Sequence, residues 1–103
     1  MLIAFSVAPA VAADETGSVH DAVADAVAIV RESGIAHRTD AMFTTLEGEW
    51  DECMDVVRRC CEAVGAHSQR VSLVLKADIR PGHTGELQGK LDRLEAALAQ
   101  REG

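Results

Sequence analysis

The chain has 103 residues, of which 48% are hydrophobic and 26% charged, so it holds one globular domain over residues 1–103. Its formal net charge is −7, which argues against nucleic acid as a partner, because an acidic surface repels the phosphate backbone. No apolar run reaches the ~18 residues that a membrane span requires. Aromatic residues make up only 3%, so the predicted core is thin and contacts between subunits would add useful burial.

The N-terminal stretch predicts a β-strand over Leu2–Ala8, because Ile3, Phe5 and Val7 alternate along one apolar face before Pro9. The same stretch resembles a secretory signal, but no Lys or Arg precedes its apolar run and Pro9 interrupts it. We therefore expect the segment to stay in the protein. An odd number of cysteines, all in one short segment, favours a cytoplasmic protein over a secreted disulfide scaffold.

The next segments predict a loop over Ala10–Gly17 and then a helix that begins at Ser18 and ends at Gly34. Its apolar stripe is formed by Val19, Val23, Ala26 and Val30. The stretch Ile35–Glu47 predicts two short strands with a tight connection near Asp40.

A second helix is predicted over Trp50–Val64, since apolar residues recur there at helical spacing and Gly65 follows. Strict alternation predicts a strand over Val71–Ile79, and Leu87, Leu91, Leu94 and Leu98 mark a last helix over Glu86–Gln100. The order β-α-β-β-α-β-α predicts an α+β fold of the ferredoxin-like βαββαβ type with an additional C-terminal helix. Right-handed crossovers would place the first two helices on one face of an antiparallel four-stranded sheet and leave the other face bare.

The bare face would carry a mixture of small, apolar and polar side chains, among them Ser72, Val74, Lys76 and Asp78 of the last strand. Such a surface over several strands favours a homodimer or homotetramer made by stacking two sheets, with polar residues lining a shared cavity. The alternative is a monomer whose third helix swings across that face.

Reactive side chains are few. Cys53, Cys60 and Cys61 lie in the apolar stripe of the second helix without zinc-type spacing, so buried thiols are expected and no metal site is predicted. His83 lies in a polar loop. The carboxylates of Glu47 and Glu49 flank Gly48 and could accept hydrogen bonds from a ligand or serve the start of the helix.

Residues Thr44 to Asp51 read TTLEGEWD, which resembles the T-x-x-E-G-E-W-D-E signature of the small thiamine-binding, YkoF-like protein family. The match continues in the opening Phe5-Ser6-Val7-Ala8-Pro9, in Arg31-Glu32-Ser33-Gly34, and in Cys60 with Glu62-Ala63, although Cys61 replaces the family's His. Arg70-Val71-Ser72, Lys76-Ala77-Asp78 and Lys90 extend it through the last strand and helix.

The resemblance implies the ferredoxin-like fold, assembly through sheet faces, and binding of thiamine or its hydroxymethylpyrimidine part near a subunit interface. It points to Thr44 and Glu47 as ligand-binding residues, with Glu47 accepting a hydrogen bond from the pyrimidine amine. Ser6 and Ser72 could complete the hydrogen bonding, and Met42 or Phe43 could cover the ring. No catalytic residue and no cofactor are expected.

Two alternatives remain at this point. The chain could be an oligomeric structural or regulatory module without a ligand. It could also be a small dimeric enzyme with Cys60 or His83 as the reactive group, which requires an exposed thiol of low pKa.

Overall fold

The computed structural model describes residues 1–10 and 18–102, so the predicted loop over Ala10–Gly17 lies, from residue 11 onward, outside the described residues. The elements are β1 Leu2–Pro9, α1 Ser18–Glu32, β2 Ala36–Thr39, β3 Thr44–Glu47, α2 Trp50–Gly65, β4 Val71–Asp78 and α3 Glu86–Glu102. The four strands form one antiparallel sheet in the order β2-β3-β1-β4. The predicted ferredoxin-like α+β fold with an additional C-terminal helix is confirmed.

The core lies between the sheet and the two helices α1 and α2. Ile3, Phe5 and Leu46 supply the sheet side of this core, and each is at most 2% exposed. The helices add small and branched side chains from their inner faces, namely Ala22, Ala26, Val30, Cys53, Val56, Val57, Cys60 and Val64. Because none of these helical residues is aromatic, both helices can pack close to the sheet.

Local chemistry explains where the helices begin and end. The backbone N–H of Glu49 donates to the Glu52 side chain at 2.8 Å, which is half of a capping box at the start of α2. Gly34 follows α1 with a φ of 76°, the left-handed conformation expected of a residue that ends a helix. Trp50 belongs to the predicted apolar stripe of α2, yet it is 50% exposed. It is the first residue of the helix, and burial in α2 begins only at Cys53.

The second face of the sheet, called the open face below, is the one turned away from α1 and α2. Register and alternation place on it Leu2, Ala4, Ser6 and Ala8 of β1, Ala36 and Arg38 of β2, Thr45 and Glu47 of β3, and Ser72, Val74, Lys76 and Asp78 of β4. Among the described helices, only α3 lies over this face, where its start contacts β3 and β2. A groove of about 430 Å³ remains there, with Ala4 and Thr45 in its floor. None of the helices in the described ranges combines the length and apolarity that a membrane crossing requires.

Candidate ligand-binding site

A cavity of about 230 Å³ lies where β1 continues past the end of β3. Pairing between these strands stops at Phe5 opposite Thr44, whereas β1 runs on to Pro9 and, of the strands in residues 1–10 and 18–102, pairs there with β4 alone. The turn between β2 and β3 and one side of α1 close the remaining walls. Pockets for drug-sized ligands usually measure about 300–1,000 Å³, so this cavity suits one ring of a two-ring molecule.

The free edge of β1 supplies backbone hydrogen-bonding groups to the cavity. In an antiparallel sheet, the backbone N–H and C=O of one residue both point to the same neighbouring strand. Those of the next residue point to the strand on the other side. The Met1 carbonyl accepts from Gly48 N at 3.2 Å on the β3 side, and Ala10 N donates to the Arg70 carbonyl at 2.8 Å on the β4 side. The backbone groups of odd-numbered β1 residues therefore point towards β3. Those of Val7 point past the end of β3, because β3 stops opposite Phe5. Within residues 1–10 and 18–102, no strand pairs with Val7 on that side.

The turn between β2 and β3 places a fixed carboxylate beside the cavity. Asp40 Oδ1 accepts hydrogen bonds from the backbone N–H of Met42 at 2.8 Å and of Phe43 at 2.9 Å. Asp40 N donates to the Phe43 carbonyl at 2.9 Å, which closes the turn. The two N–H donors hold the pKa of the Asp40 carboxyl below its usual range, so it is anionic at neutral pH. The sequence identified Asp40 only as a turn residue, because its nearness to β1 depends on strand pairing.

Apolar side chains from α1 and the turn form the rest of the wall. Val23 on α1 is 43% exposed although it belongs to the apolar stripe, because it faces the cavity and not the core. Met42 and Phe43 stand on the turn and are exposed as well. A planar ring in the cavity would gain burial against these side chains, and an aromatic neighbour such as Phe43 adds a favourable ring contact.

Four of the six predicted site residues border this cavity: Ser6, Met42, Phe43 and Thr44. The Thr44 hydroxyl lies 3.1 Å from that of Thr39 on the neighbouring strand. Ser72 lies elsewhere, exposed on the open face opposite Ala8. The cavity is bordered by β1 residues of both faces, so it opens at the strand edge where the two faces meet.

Glu47, the sixth predicted residue, lies at the other end of the sheet from this cavity. Its carboxylate accepts hydrogen bonds from the backbone N–H of Glu86 at 2.7 Å and of Leu87 at 3.3 Å. These are the first two residues of α3, whose N–H groups have no partner within the helix. Glu47 therefore caps α3 from a different element and fixes it to the open face. This contact joins residues about 40 apart in the sequence and could not be foreseen from local patterns.

The two candidate reactive groups, Cys60 and His83, do not border the cavity. Cys60 is fully buried, its Sγ lies 3.4 Å from the Ala26 carbonyl, and burial raises the pKa of its thiol to about 11. His83 is exposed, with Nδ1 3.8 Å from the Glu86 carboxylate. The Cys60 thiol is therefore not activated as a nucleophile, because a reactive thiol needs a lowered pKa and access to solvent. Across the described ranges, no three or more His, Cys, Asp or Glu side chains are grouped to hold a metal ion.

Comparison with known proteins identifies the family. The family model described as thiamine-binding protein matches residues 3–95. The UPF0045 protein Mb1933 of Mycobacterium bovis is 44% identical over 103 residues, which cover 99% of this chain and 98% of that protein. A domain of unknown function, DUF77, from Bacillus cereus is 36% identical, with a TM-score of 0.72 over 84% of each chain. A candidate thiamine biosynthesis/salvage protein of Thermotoga maritima shares the fold, with a TM-score of 0.70 at 24% identity over 91% of this chain and 99% of that one. The chain belongs to the thiamine-binding protein family.

Proposed function

We propose that this protein binds thiamine or its hydroxymethylpyrimidine part, without chemical turnover, in the cavity beside the free edge of β1. The observation that carries the proposal is the backbone N–H and C=O of Val7, which face an apolar cavity without a strand partner among the described residues. Membership of the thiamine-binding protein family supports the choice of ligand.

The hydrogen-bonding pattern of an aminopyrimidine matches that of a strand edge. The exocyclic amine is a donor and the adjacent ring nitrogen is an acceptor, so the pair is complementary to one backbone C=O and one N–H. Val7 supplies both groups on one side of the ring. Phe43 and Met42 would cover the ring face, and the hydroxyls of Thr44 and Ser6 border the same space.

Asp40 gives a reason to favour whole thiamine over its pyrimidine part. Thiamine carries a positively charged thiazolium ring, whereas hydroxymethylpyrimidine is neutral at pH 7. The Asp40 carboxylate is anionic and is held in place by two backbone N–H groups at the cavity wall. An opposite charge within a few ångströms of the thiazolium would stabilise the bound cation, and the net charge of −7 attracts it over longer distances.

The protein is proposed to act as a homodimer or homotetramer whose subunits meet through their open faces. Val74 on the edge strand β4 is 56% exposed on this face, where it lies opposite Ser6, and a groove of about 430 Å³ lies on the same face. Because the cavity opens at the edge shared by both sheet faces, a subunit that covers the open face would also border the ligand. Cys53, Cys60 and Cys61 are all free thiols, which supports a cytoplasmic location.

Titration calorimetry with two variants of Val7 tests the backbone contact. Val7→Pro removes the N–H that faces the cavity and leaves the β4 ladder donors in place, whereas Val7→Ala removes only side-chain atoms and serves as the control. We expect Val7→Ala to bind thiamine and Val7→Pro to lose at least tenfold in affinity, while both give the same circular dichroism spectrum. Equal affinities in the two folded variants would contradict the backbone contact.

Mass spectrometry and calorimetry with the wild-type protein separate binding from catalysis and test the identity of the ligand. Thiamine recovered after incubation should be chemically unchanged by mass spectrometry. If neither thiamine, its phosphates nor hydroxymethylpyrimidine produces heat with the wild-type protein, the proposed function is wrong.

A further inference from the structure

The cavity beside the free edge of β1 carries a single charge on its described walls, and that charge is negative. Asp40 is the one ionisable side chain among the described residues that border the cavity, and the others are apolar or carry a hydroxyl. Its carboxylate is held in place, because Oδ1 accepts hydrogen bonds from the backbone N–H groups of Met42 and Phe43. A ligand in the cavity therefore meets a fixed anion and no cation from the described residues.

The distribution of basic residues along the chain explains this imbalance. All ten Lys and Arg residues come after residue 30, whereas β1 and most of α1 are formed by residues 1–30. The segment that joins β1 to α1, residues 11–17, contains two acidic residues and neither Lys nor Arg. The part of the sequence that builds most of the cavity wall thus supplies acidic side chains but no Lys or Arg.

Two basic side chains from neighbouring elements are directed elsewhere. Arg38 lies on the open face and donates a hydrogen bond to Gln88 of α3 at 2.9 Å. Arg70 precedes β4 and accepts through its carbonyl from Ala10 N, on the side of β1 opposite to β3. Neither residue borders the cavity.

Phosphate recognition needs groups that this cavity lacks among the described residues. Proteins bind phosphates through Arg or Lys side chains and through the free N–H groups of helix N-termini. The first turn of α1 carries Asp21, whose carboxylate already offsets the positive end of the helix dipole. The N–H groups of Met42 and Phe43 are occupied by Asp40.

We propose that the cavity selects the unphosphorylated, cationic form of thiamine and discriminates against thiamine monophosphate and diphosphate. This inference rests on the proposed function, since it requires that thiamine occupies the cavity. A phosphate ester adds a charge of about −1.5 to −2 at pH 7, so one phosphate already cancels the charge of the thiazolium. The attraction to Asp40 and to the net charge of −7 is then replaced by repulsion, which is little screened over distances below about 8 Å.

Titration calorimetry of the wild-type chain with thiamine, thiamine monophosphate and thiamine diphosphate tests the inference. We expect thiamine to bind at least tenfold more tightly than the diphosphate, with the monophosphate between them. Because the preference is electrostatic, the ratio of the two affinities should shrink as NaCl is added.

Two variants of Ala41 test whether charge at the cavity sets the preference. Ala41 is exposed on the turn between β2 and β3 and borders the cavity, so a longer side chain can be accommodated there. Ala41→Lys adds a cation, and Ala41→Gln adds a neutral side chain as the control. We expect Ala41→Lys to reduce the thiamine-to-diphosphate ratio at least threefold and Ala41→Gln to keep the wild-type ratio, while circular dichroism confirms that both variants fold.

Three results are informative in different ways. A wild-type protein that binds the diphosphate as tightly as thiamine overturns the inference and leaves the proposed function standing. An unchanged ratio in folded Ala41→Lys also overturns it, because charge at the cavity would then not set the preference. If none of the three compounds produces heat with the wild-type protein, the proposed function fails and this inference fails with it.

Discussion

Substitution of Glu47 tests whether its carboxylate anchors α3 or accepts a hydrogen bond from the ligand. In Glu47→Ala, the backbone N–H groups of Glu86 and Leu87 lose the acceptor that lies 2.7 and 3.3 Å away. Loss of a helix N-cap costs about 0.5–2 kcal/mol. The cost of removing Glu47 should lie in the upper half of that range, because its charged carboxylate accepts from two donors. Glu47 is only half-buried, which keeps the cost from being larger.

We therefore expect α3 docking to weaken by about 1–2 kcal/mol, which raises the undocked fraction roughly 5–30-fold. Hydrogen exchange at the α3 amides from Lys90 onward, which have acceptors within the helix, should accelerate by that factor, while exchange in α2 stays unchanged. Thiamine affinity should change little, because Glu47 does not border the cavity. Glu95→Ala, which removes an exposed carboxylate from the same helix, is the control and should alter neither measurement.

Either of two results would refute this reasoning. Unchanged exchange at the α3 amides from Lys90 onward would show that the cap contributes nothing to docking. Loss of thiamine binding in Glu47→Ala with α3 still protected would show instead that Glu47 accepts a hydrogen bond from the ligand, as the family resemblance implies.

Three other predictions concern the ligand, the core and the pH dependence. Asp40→Asn keeps the turn, since Asn makes the same local bonds, but should weaken thiamine more than hydroxymethylpyrimidine in calorimetry. Leu46→Ala should lower the free energy of unfolding by about 2–5 kcal/mol in urea titrations, because Leu46 is fully buried. Pairing with Lys90 lowers the pKa of Asp78. The Asp78–Lys90 pair therefore stabilises α3 at pH values above 3.8, the ordinary pKa of an Asp carboxyl, and this stabilisation should be lost as the pH falls below 3.8. Chemical-shift changes of α3 residues during an acid titration would measure the loss.

The sequence predicted the elements well because their patterns are local. Alternation along Leu2–Ala8 and Val71–Ile79, and leucine spacing in the last helix, correspond to β1, β4 and α3 within two residues at each boundary. Turn chemistry near Asp40 likewise predicted the β2–β3 connection, which the Asp40 hydrogen bonds now explain. The order of these elements was enough for the fold, because crossover handedness allows few topologies.

The candidate site was predicted only in part, since it depends on strand register. Met42, Phe43 and Thr44 follow one another in the sequence, so a single motif was sufficient to group them. Nothing local indicates that β3 stops opposite Phe5 and leaves the backbone of Val7 facing a cavity. Backbone groups carry no residue-specific signal, so only strand pairing could reveal them.

The sequence by itself determined the fold class, the acidic charge and the apolar faces, which follow from residue order and composition. Tertiary structure decided which carboxylate serves which purpose: Glu47 anchors α3, and Asp40 lies beside the cavity. It also decided that Leu91, Leu94 and Leu98 of α3 extend into solvent and do not cover the open face. These outcomes depend on contacts between residues distant in the chain, whose geometry is fixed only when the sheet has formed.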